Sequence, residues 1–167
     1  MNPRLRSHVA VFELNTSLML AVLDDLGTDR GWVQPSDGGA GMPGIAVHVL
    51  DARNFLAQVL SVVVADPLLQ AIRDAKRVQD LQTLPSPTRA SAVWLTLSRR
   101  IRPTLRDLSD EALDAPPPHQ FPVNDPTTLG AIAFLLQHEA YHIGQLAILR
   151  KVAGLPAIAY VTRPDLW

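Results

Sequence analysis

Cysteine is absent from this chain of 167 residues, which excludes disulfide frameworks, zinc ribbons, iron–sulfur sites and cysteine nucleophiles. Any bound metal must therefore be held by histidines and carboxylates. A surplus of charge is lacking too, because 15 Lys and Arg are balanced by 16 Asp and Glu, leaving a formal net charge of −1. This balance provides no bulk attraction to nucleic acid or to anionic membranes.

Long hydrophobic runs are also missing. No apolar stretch reaches the roughly 18 residues that a membrane-spanning helix needs, and the N-terminal MNPRLRSHVAVFELN has neither the apolar core nor the cleavage site of a signal peptide. We therefore expect a cytoplasmic protein without a membrane partner. What the chain does have is 47% hydrophobic residues, enough for a buried core, and a length that fits one domain over residues 1–167.

Helical periodicity occurs in four segments that are separated by stretches rich in proline and glycine. The first covers residues 3–26, the second begins near Pro43, the third begins at Ser86 and Pro87, and the fourth covers residues 125–152. Strand patterns are scarce, so we predict an all-α bundle of four main helices with long connecting loops. The order in which the helices pack is not determined by these patterns.

Several helix boundaries can be predicted from single residues. Gly27 is a stop signal for the first helix, whereas the β-branched run at residues 61–64 is kept in the second helix for want of a pairing partner. Asp66 and Pro67 indicate a break followed by a shorter helix to about residue 81. Pro103 should kink the third helix or end it early, because proline cannot donate the helical hydrogen bond.

Candidate chemistry concentrates in the fourth helix, where His138 and His142 are separated by four residues. Residues at this spacing lie one above the other on a helix, so both imidazoles can reach one metal ion. Leu135, Leu146 and Leu149 flank them, and this face is expected to point toward the bundle interior. The alternative is that each histidine is a core group that is hydrogen-bonded to a neighbour.

A third ligand would have to come from another segment, since open catalytic metal sites usually have three protein ligands. His48 ranks first, because it shares the apolar face of the second helix with Ile45, Ala52, Phe55 and Val59. His8 on the first helix ranks second, as a ligand or as a wall of the site. His119 lies among prolines in a predicted surface loop and ranks last.

The string from His138 to His142 also matches H-E-x-x-H, in which a glutamate serves zinc proteases as general base. Such enzymes take a third ligand from further along the chain, yet no Glu follows Glu139 and no His follows His142. A peptidase is therefore disfavoured. Glu139 remains a candidate catalytic base or ligand-orienting group, and its alternative is a carboxylate that lies on the outer surface of the helix or supports a ligand without binding the metal.

The string HEAYHIGQLAILRKVAGLP, together with His48 in MPGIAVHVLDARNFL, closely resembles the DinB/YfiT-like family of metal-binding proteins. The most specific part is HxxxHxGQ, followed by an arginine and a glycine. The resemblance implies a four-helix bundle of up-down-down-up topology. It also implies a divalent metal, zinc or nickel, held by His48, His138 and His142.

The same resemblance implies homodimers and metal-dependent transfer of low-molecular-weight thiols, such as bacillithiol or mycothiol, to small electrophiles, or related isomerase and detoxification roles. It implies no contact with nucleic acid. Two other functions stay open: a non-catalytic dimeric helical bundle, and a metal-dependent hydrolase with Glu139 as general base. Nothing in the sequence selects one thiol or one electrophile.

Four further features have structural interpretations. Gly144 inside a helix costs about 1 kcal/mol relative to alanine, which suggests a close helix approach there. Gln145 can hydrogen-bond a ligand histidine and fix its orientation, or it can bond a neighbouring backbone group. Phe12 and Trp94 are expected in the core. Arg99, Arg100, Arg102 and Arg106 form a basic cluster that we interpret as a solvated helix face.

Overall fold

The structure is a computed structural model that describes residues 1–26, 41–75, 80, 81 and 83–167. These residues contain helices and irregular segments and no β-strand, as predicted. The helices, in chain order, are α1 (Arg6–Leu23), α2 (Met42–Val59), α3 (Pro67–Ala75), α4 (Pro87–Asp107), α5 (Asp110–Asp114) and α6 (Thr128–Val152). Short 3₁₀ turns at Pro3–Leu5 and Pro164–Leu166 lie near the two ends of the chain.

The four long helices pack around a common core. The extensive contacts are those of α2 with α6, α1 with α6, α1 with α4, and α2 with α4. Within the described residues, α1 and α2 make few direct contacts, and the same holds for α4 and α6. Consecutive helices α1 and α2 therefore lie across the bundle from each other, and helices that follow one another are not always neighbours.

Side-chain caps explain where the helices begin. The hydroxyl of Ser86 accepts a hydrogen bond from the Arg89 amide at 3.2 Å, and the Thr127 hydroxyl accepts one from the Gly130 amide at 3.4 Å. Each cap satisfies a first-turn amide that has no helical partner. The fourth predicted helix thus begins at Thr128 rather than 125, because Asp125 forms the turn before it through the Thr127 amide.

One boundary prediction was wrong, and another is decided in part. Residues 61–64 are not helical: α2 ends at Val59, and Ser61 adopts a left-handed backbone with φ of 55°. Of the two outcomes expected at Pro103, a kink or an early end, the early end does not occur, since α4 continues to Asp107. The proline ring lies on the exposed side of α4, where water can reach the carbonyl that loses its helical partner.

Other boundaries shift by a few residues. The first helix is preceded by the 3₁₀ turn and ends at Leu23, and the short α5 was not predicted. Ser109 caps α5 by accepting a hydrogen bond from the Ala112 amide. The helix was missed because its five residues are too few to show a periodic pattern. The stop at Gly27 and the predicted continuation of the shorter helix through residues 76–79 lie outside the described residues.

The core contains residues of the first predicted helix that share one helical face. These side chains are all buried in the structure: Leu5, Phe12, Thr16, Met19 and Leu23. Trp94 of α4 is fully buried as well, which confirms its core assignment. Among the helices described, none is both long and apolar enough to cross a membrane.

Candidate metal centre

Packing of α2 against α6 brings three histidines together. His48 comes from α2, whereas His138 and His142 lie one turn apart on α6, and one ring nitrogen of each can be chosen so that all lie within 4.8 Å of one another. The ring centroids are 4.9, 4.6 and 4.5 Å apart, and the rings meet edge to face. The three residues that rank first as ligands in the sequence are thus neighbours in the fold.

The donor set fits a divalent transition-metal ion. Two ligands of a tetrahedral zinc ion are about 3.3 Å apart if each bond is about 2.05 Å. The Nε2 atoms of His48 and His138 are 2.9 Å apart, and the other distances reach at most 4.8 Å, so small ring rotations suffice. Imidazole nitrogen suits zinc, nickel and copper, whereas calcium and magnesium prefer oxygen ligands.

Electrostatics favour the neutral form of two of these rings, which is the form that binds metal. Burial, together with the adjacent His142 and His48 rings, lowers the pKa of His138 to about 4. Burial and the nearby His142 lower the pKa of His48 as well. At neutral pH these two ligands therefore need not release a proton before binding.

A hydrogen bond from the His142 ring to Gln145 fixes the third ring. The amide oxygen Oε1 of Gln145 lies 2.7 Å from Nδ1 of His142, and the amide nitrogen donates to the Tyr141 hydroxyl at 3.2 Å. Since an amide oxygen only accepts, Nδ1 of His142 carries the hydrogen and Nε2 keeps a free lone pair. Gln145 thus makes a contact expected from the sequence and leaves Nε2 available to bind a metal ion.

A row of aromatic rings extends from the triad toward the proline-rich loop before α6. Phe134 stacks on His138 at a centroid distance of 5.7 Å, and Phe121 follows at 5.6 Å from Phe134. Phe55 of α2 lies 5.5 Å from Phe121 and 5.1 Å from His119. The three phenylalanines are half-buried, so they form an apolar wall on one side of the candidate metal centre.

The histidines lie at the edge of the core rather than inside it, which corrects the expected orientation of this face. All three are half-buried, whereas Leu135, Ile143 and Leu146 of α6 are at most 2% exposed. The face that points to the bundle centre also carries Glu139, which has no exposed surface. The neighbouring histidines are rotated toward the groove between α2 and α6.

Glu139 is paired with Arg53, a residue that the sequence patterns did not single out. Arg53 Nε donates to Oε1 of Glu139 at 2.6 Å and Nη2 donates to Oε2 at 2.7 Å, and neither side chain is exposed. Burial lowers the pKa of Arg53, and the Glu139 carboxylate opposes this shift. Because both carboxylate oxygens accept from a guanidinium, Glu139 is poorly placed to act as the expected catalytic base.

Residues from the other two long helices enclose this ion pair. Arg53 Nη1 donates to the hydroxyls of Thr16 and Ser98 at 3.0 Å each. The guanidinium carbon lies 4.1 Å from the Phe12 ring centroid and 3.8 Å from that of Trp94. The sequence did contain a signal: an arginine and a glutamate each interrupt an otherwise apolar helix face.

The remaining candidates lie outside the triad. His8 borders a cleft of about 250 Å³ between α1 and α6, and His119 is exposed and packs on Phe55. The close approach predicted at Gly144 is not found, since no described atom beyond its chain neighbours and the adjacent backbone of α6 lies within 4 Å of the place where its Cβ would be. Arg102 of the basic cluster pairs with Glu13 at 2.6 Å, so that face is partly neutralised.

Comparison with known proteins identifies a family for this chain. The model of the DinB superfamily matches residues 12–146. Among solved structures, a DinB-like protein from Bacillus cereus ATCC 10987 superimposes with a TM-score of 0.71 at 15% identity, covering 92% of this chain and 95% of that one. At this identity the likeness shows the fold alone. No curated protein matches the chain.

Proposed function

Because the chain belongs to the DinB superfamily, we propose that it binds a divalent metal ion, zinc or nickel, through His48, His138 and His142. We propose further that it is a metal-dependent transferase that attaches low-molecular-weight thiols to small electrophiles. The observation that carries the proposal is the convergence of three imidazoles from two helices. The family match and the half-buried position of the triad support it.

A divalent ion with three neutral ligands keeps its full charge and lowers the pKa of a bound thiol or water toward neutrality. The chain itself contributes the other requirements. Gln145 orients His142, and Phe134 shields one side of His138 from water. Since the chain has no cysteine, the nucleophilic sulfur belongs to the thiol substrate.

The aromatic row indicates the class of electrophile. Phe55, Phe121 and Phe134 offer half-buried apolar rings beside the triad, and such rings bind flat apolar groups by stacking. We therefore propose a small electrophile with an aromatic or otherwise apolar group next to its reactive carbon. A strongly charged electrophile would lose its hydration beside this aromatic row without gaining a polar partner.

Two further proposals come from the sequence. The homodimer and the up-down-down-up topology are implied by the family resemblance. Analytical ultracentrifugation of the metal-loaded protein tests the dimer, because a sedimentation mass near 36 kDa is expected for two chains of 18.2 kDa. A mass near that of one chain would contradict it.

The decisive experiment measures metal content in tag-free protein by mass spectrometry. Wild type and His119→Ala, which removes a histidine outside the triad, should each bind one ion per chain. Folded His48→Ala and His138→Ala should lose it. Absence of metal from the wild type after reconstitution with zinc and with nickel would overturn the proposal in favour of a non-catalytic bundle.

Turnover is then measured with a panel of low-molecular-weight thiols and an aromatic chloride as electrophile. A rate that requires both the metal and the triad supports thiol transfer. A metal-loaded protein with no rate for any thiol would contradict it. The hydrolase alternative has less support, because Glu139 is buried and ion-paired.

A further inference from the structure

The two helices that carry the histidines are also joined by the Arg53–Glu139 pair. Arg53 follows His48 by five residues on α2, and Glu139 directly follows His138 on α6. At about 1.5 Å of rise per residue, the pair lies about 7.5 Å along α2 from His48 and within one turn of both α6 ligands. Whatever fixes this pair also fixes where the three rings meet.

The contact is bidentate, which makes it directional. Two parallel hydrogen bonds of 2.6 and 2.7 Å join the planar guanidinium of Arg53 to the planar carboxylate of Glu139. Such a fork defines distance and orientation together, whereas a single charge contact defines distance alone. A slip of α2 by one residue would shift it by about 1.5 Å and rotate it by about 100°, so the fork would be lost.

Contacts with the other two long helices hold the pair in place. Thr16 of α1 and Ser98 of α4 both accept from Arg53, and Asn15 of α1 donates to Oε2 of Glu139 at 3.3 Å. The rings of Phe12 and Trp94 pack against the guanidinium. All four long helices therefore contribute to the position of this fork.

Stability alone does not account for such a pair. Removing two ions from water costs several kcal/mol per ion, and apolar residues of similar volume often stabilise a core equally well or better. A buried pair of this kind has its best attested use in selecting one register among several packings. The residues whose register it selects here are the three histidines.

We propose that Arg53 and Glu139 are positioning residues of the metal centre, which set the register of α2 against α6 so that His48 meets His138 and His142. This inference rests on the proposed metal binding. In this arrangement Glu139 acts through the helix packing and not as a general base. The glutamate of the H-E-x-x-H string thus has a different task from that of its counterpart in zinc proteases.

The test replaces the pair by uncharged residues of similar size, Arg53→Met together with Glu139→Leu. Single substitutions would leave one buried charge without a partner and are expected to unfold the protein, whereas the double variant removes both charges. Urea unfolding of the metal-free double variant is expected to show stability equal to or above that of the wild type. Its affinity for Co²⁺ is expected to fall about 10- to 100-fold, the range seen when groups that support metal ligands are changed.

The visible spectrum of the Co²⁺-loaded protein provides a readout that a purely structural role would not change. Altered band positions in the double variant are expected, because the ligands no longer meet in the same geometry. The control is Leu97→Ala, which opens a cavity at a buried position of α4, a helix that carries none of the three histidines, and should lower stability while leaving Co²⁺ affinity and spectrum unchanged. Wild-type affinity and spectrum in a folded double variant would overturn the proposal.

Failure of the proposed function would give a different result, because the wild type itself would then bind no Co²⁺. In that case the ring contact is measured directly in the metal-free protein by nuclear Overhauser effects between His48 and His142, whose centroids lie 4.6 Å apart. Effects present in the wild type and lost in the double variant support the positioning role. Effects retained in both proteins overturn it.

Discussion

The Nδ1 atom of His142 lies 2.7 Å from Oε1 of Gln145, the residue three positions further along α6. This contact selects the tautomer of the ring, so that Nε2 keeps the lone pair that a metal needs. The same glutamine donates to the Tyr141 hydroxyl at 3.2 Å, which holds its amide in place. A short helical segment thereby carries a candidate ligand and the residue that orients it.

The first prediction concerns this glutamine. Gln145→Ala is expected to weaken zinc binding about 10- to 100-fold, because the ring loses the group that fixes its tautomer and orientation. Gln145→Glu should retain most of the affinity, since a carboxylate also accepts from Nδ1. Competition with a chromophoric chelator measures the zinc affinity of both variants. Gln137→Ala, on the exposed face of α6, is the matched control. Equal affinities for Gln145→Ala and Gln137→Ala would contradict the prediction.

The second prediction concerns the aromatic row formed by Phe55, Phe121 and Phe134. Phe134→Ala removes the ring stacked on His138 and is expected to weaken binding of benzyl mercaptan to the Co²⁺-loaded protein about 5- to 10-fold, a loss of roughly 1 to 1.4 kcal/mol. Binding of 2-mercaptoethanol, which has no ring, should change little. Titrations followed by the sulfur-to-cobalt absorption band measure the affinity for each thiol. A uniform loss for both would indicate damage to the metal centre instead of a lost apolar contact.

The third prediction concerns acid stability of the metal-free protein. The pKa of His138 is lowered from 6.5 to about 4 by burial and by the His142 and His48 rings. Between these pH values the unfolded chain binds a proton at this position and the folded chain does not, so stability falls as pH decreases from 6.5 to 4. Above pH 6.5, protonation of His138 no longer affects the stability of the metal-free protein. Urea unfolding at several pH values should show a shallower decline for His138→Asn, and identical slopes would count against the prediction.

The fourth prediction concerns Arg150, which is 6% exposed although it lies near the end of α6. Its guanidinium donates to the backbone carbonyls of Val22, Asp24 and Pro156, and so joins the ends of α1 and α6. Arg150→Leu leaves these acceptors without a donor and is expected to lower the free energy of unfolding by about 2 to 3 kcal/mol.

Lys151→Leu is the matched control for that variant, because it removes the neighbouring cation from an exposed position. It should change the free energy of unfolding by less than about 0.5 kcal/mol. Chemical denaturation of both metal-free variants provides the comparison. A loss of similar size in the two variants would show that charge near the helix end, and not the buried hydrogen bonds, accounts for the effect.

Local features were predictable because they depend on neighbours in the chain. The spacing of His138 and His142 places both rings on one helix face in any fold, and the apolar periodicity of residues 3–26 identified the buried side of α1. Ser86 and Pro87 likewise marked the start of α4. Errors arose where local signals compete, as at residues 61–64, whose β-branched side chains suit several conformations.

His48 is an intermediate case. Its place on a half-apolar helix face made it a candidate, and the family resemblance selected it, but only the packing of α2 on α6 brings its ring within 4.9 Å of that of His138. His8 had a similar position in its own helix, yet it lies at a separate cleft between α1 and α6. His48 and His8 differ in how their helices are rotated about their axes in the fold. No local sequence pattern determines that rotation.

The sequence by itself determined that this protein is all-helical and that two histidines share a helix face, since both properties follow from short-range backbone geometry. The tertiary structure decided that Glu139 is ion-paired with Arg53, 86 positions away in the chain, and that Phe134 and Phe121 form a wall beside the triad. These contacts depend on the register and rotation of separate helices, which many side chains across the core determine together.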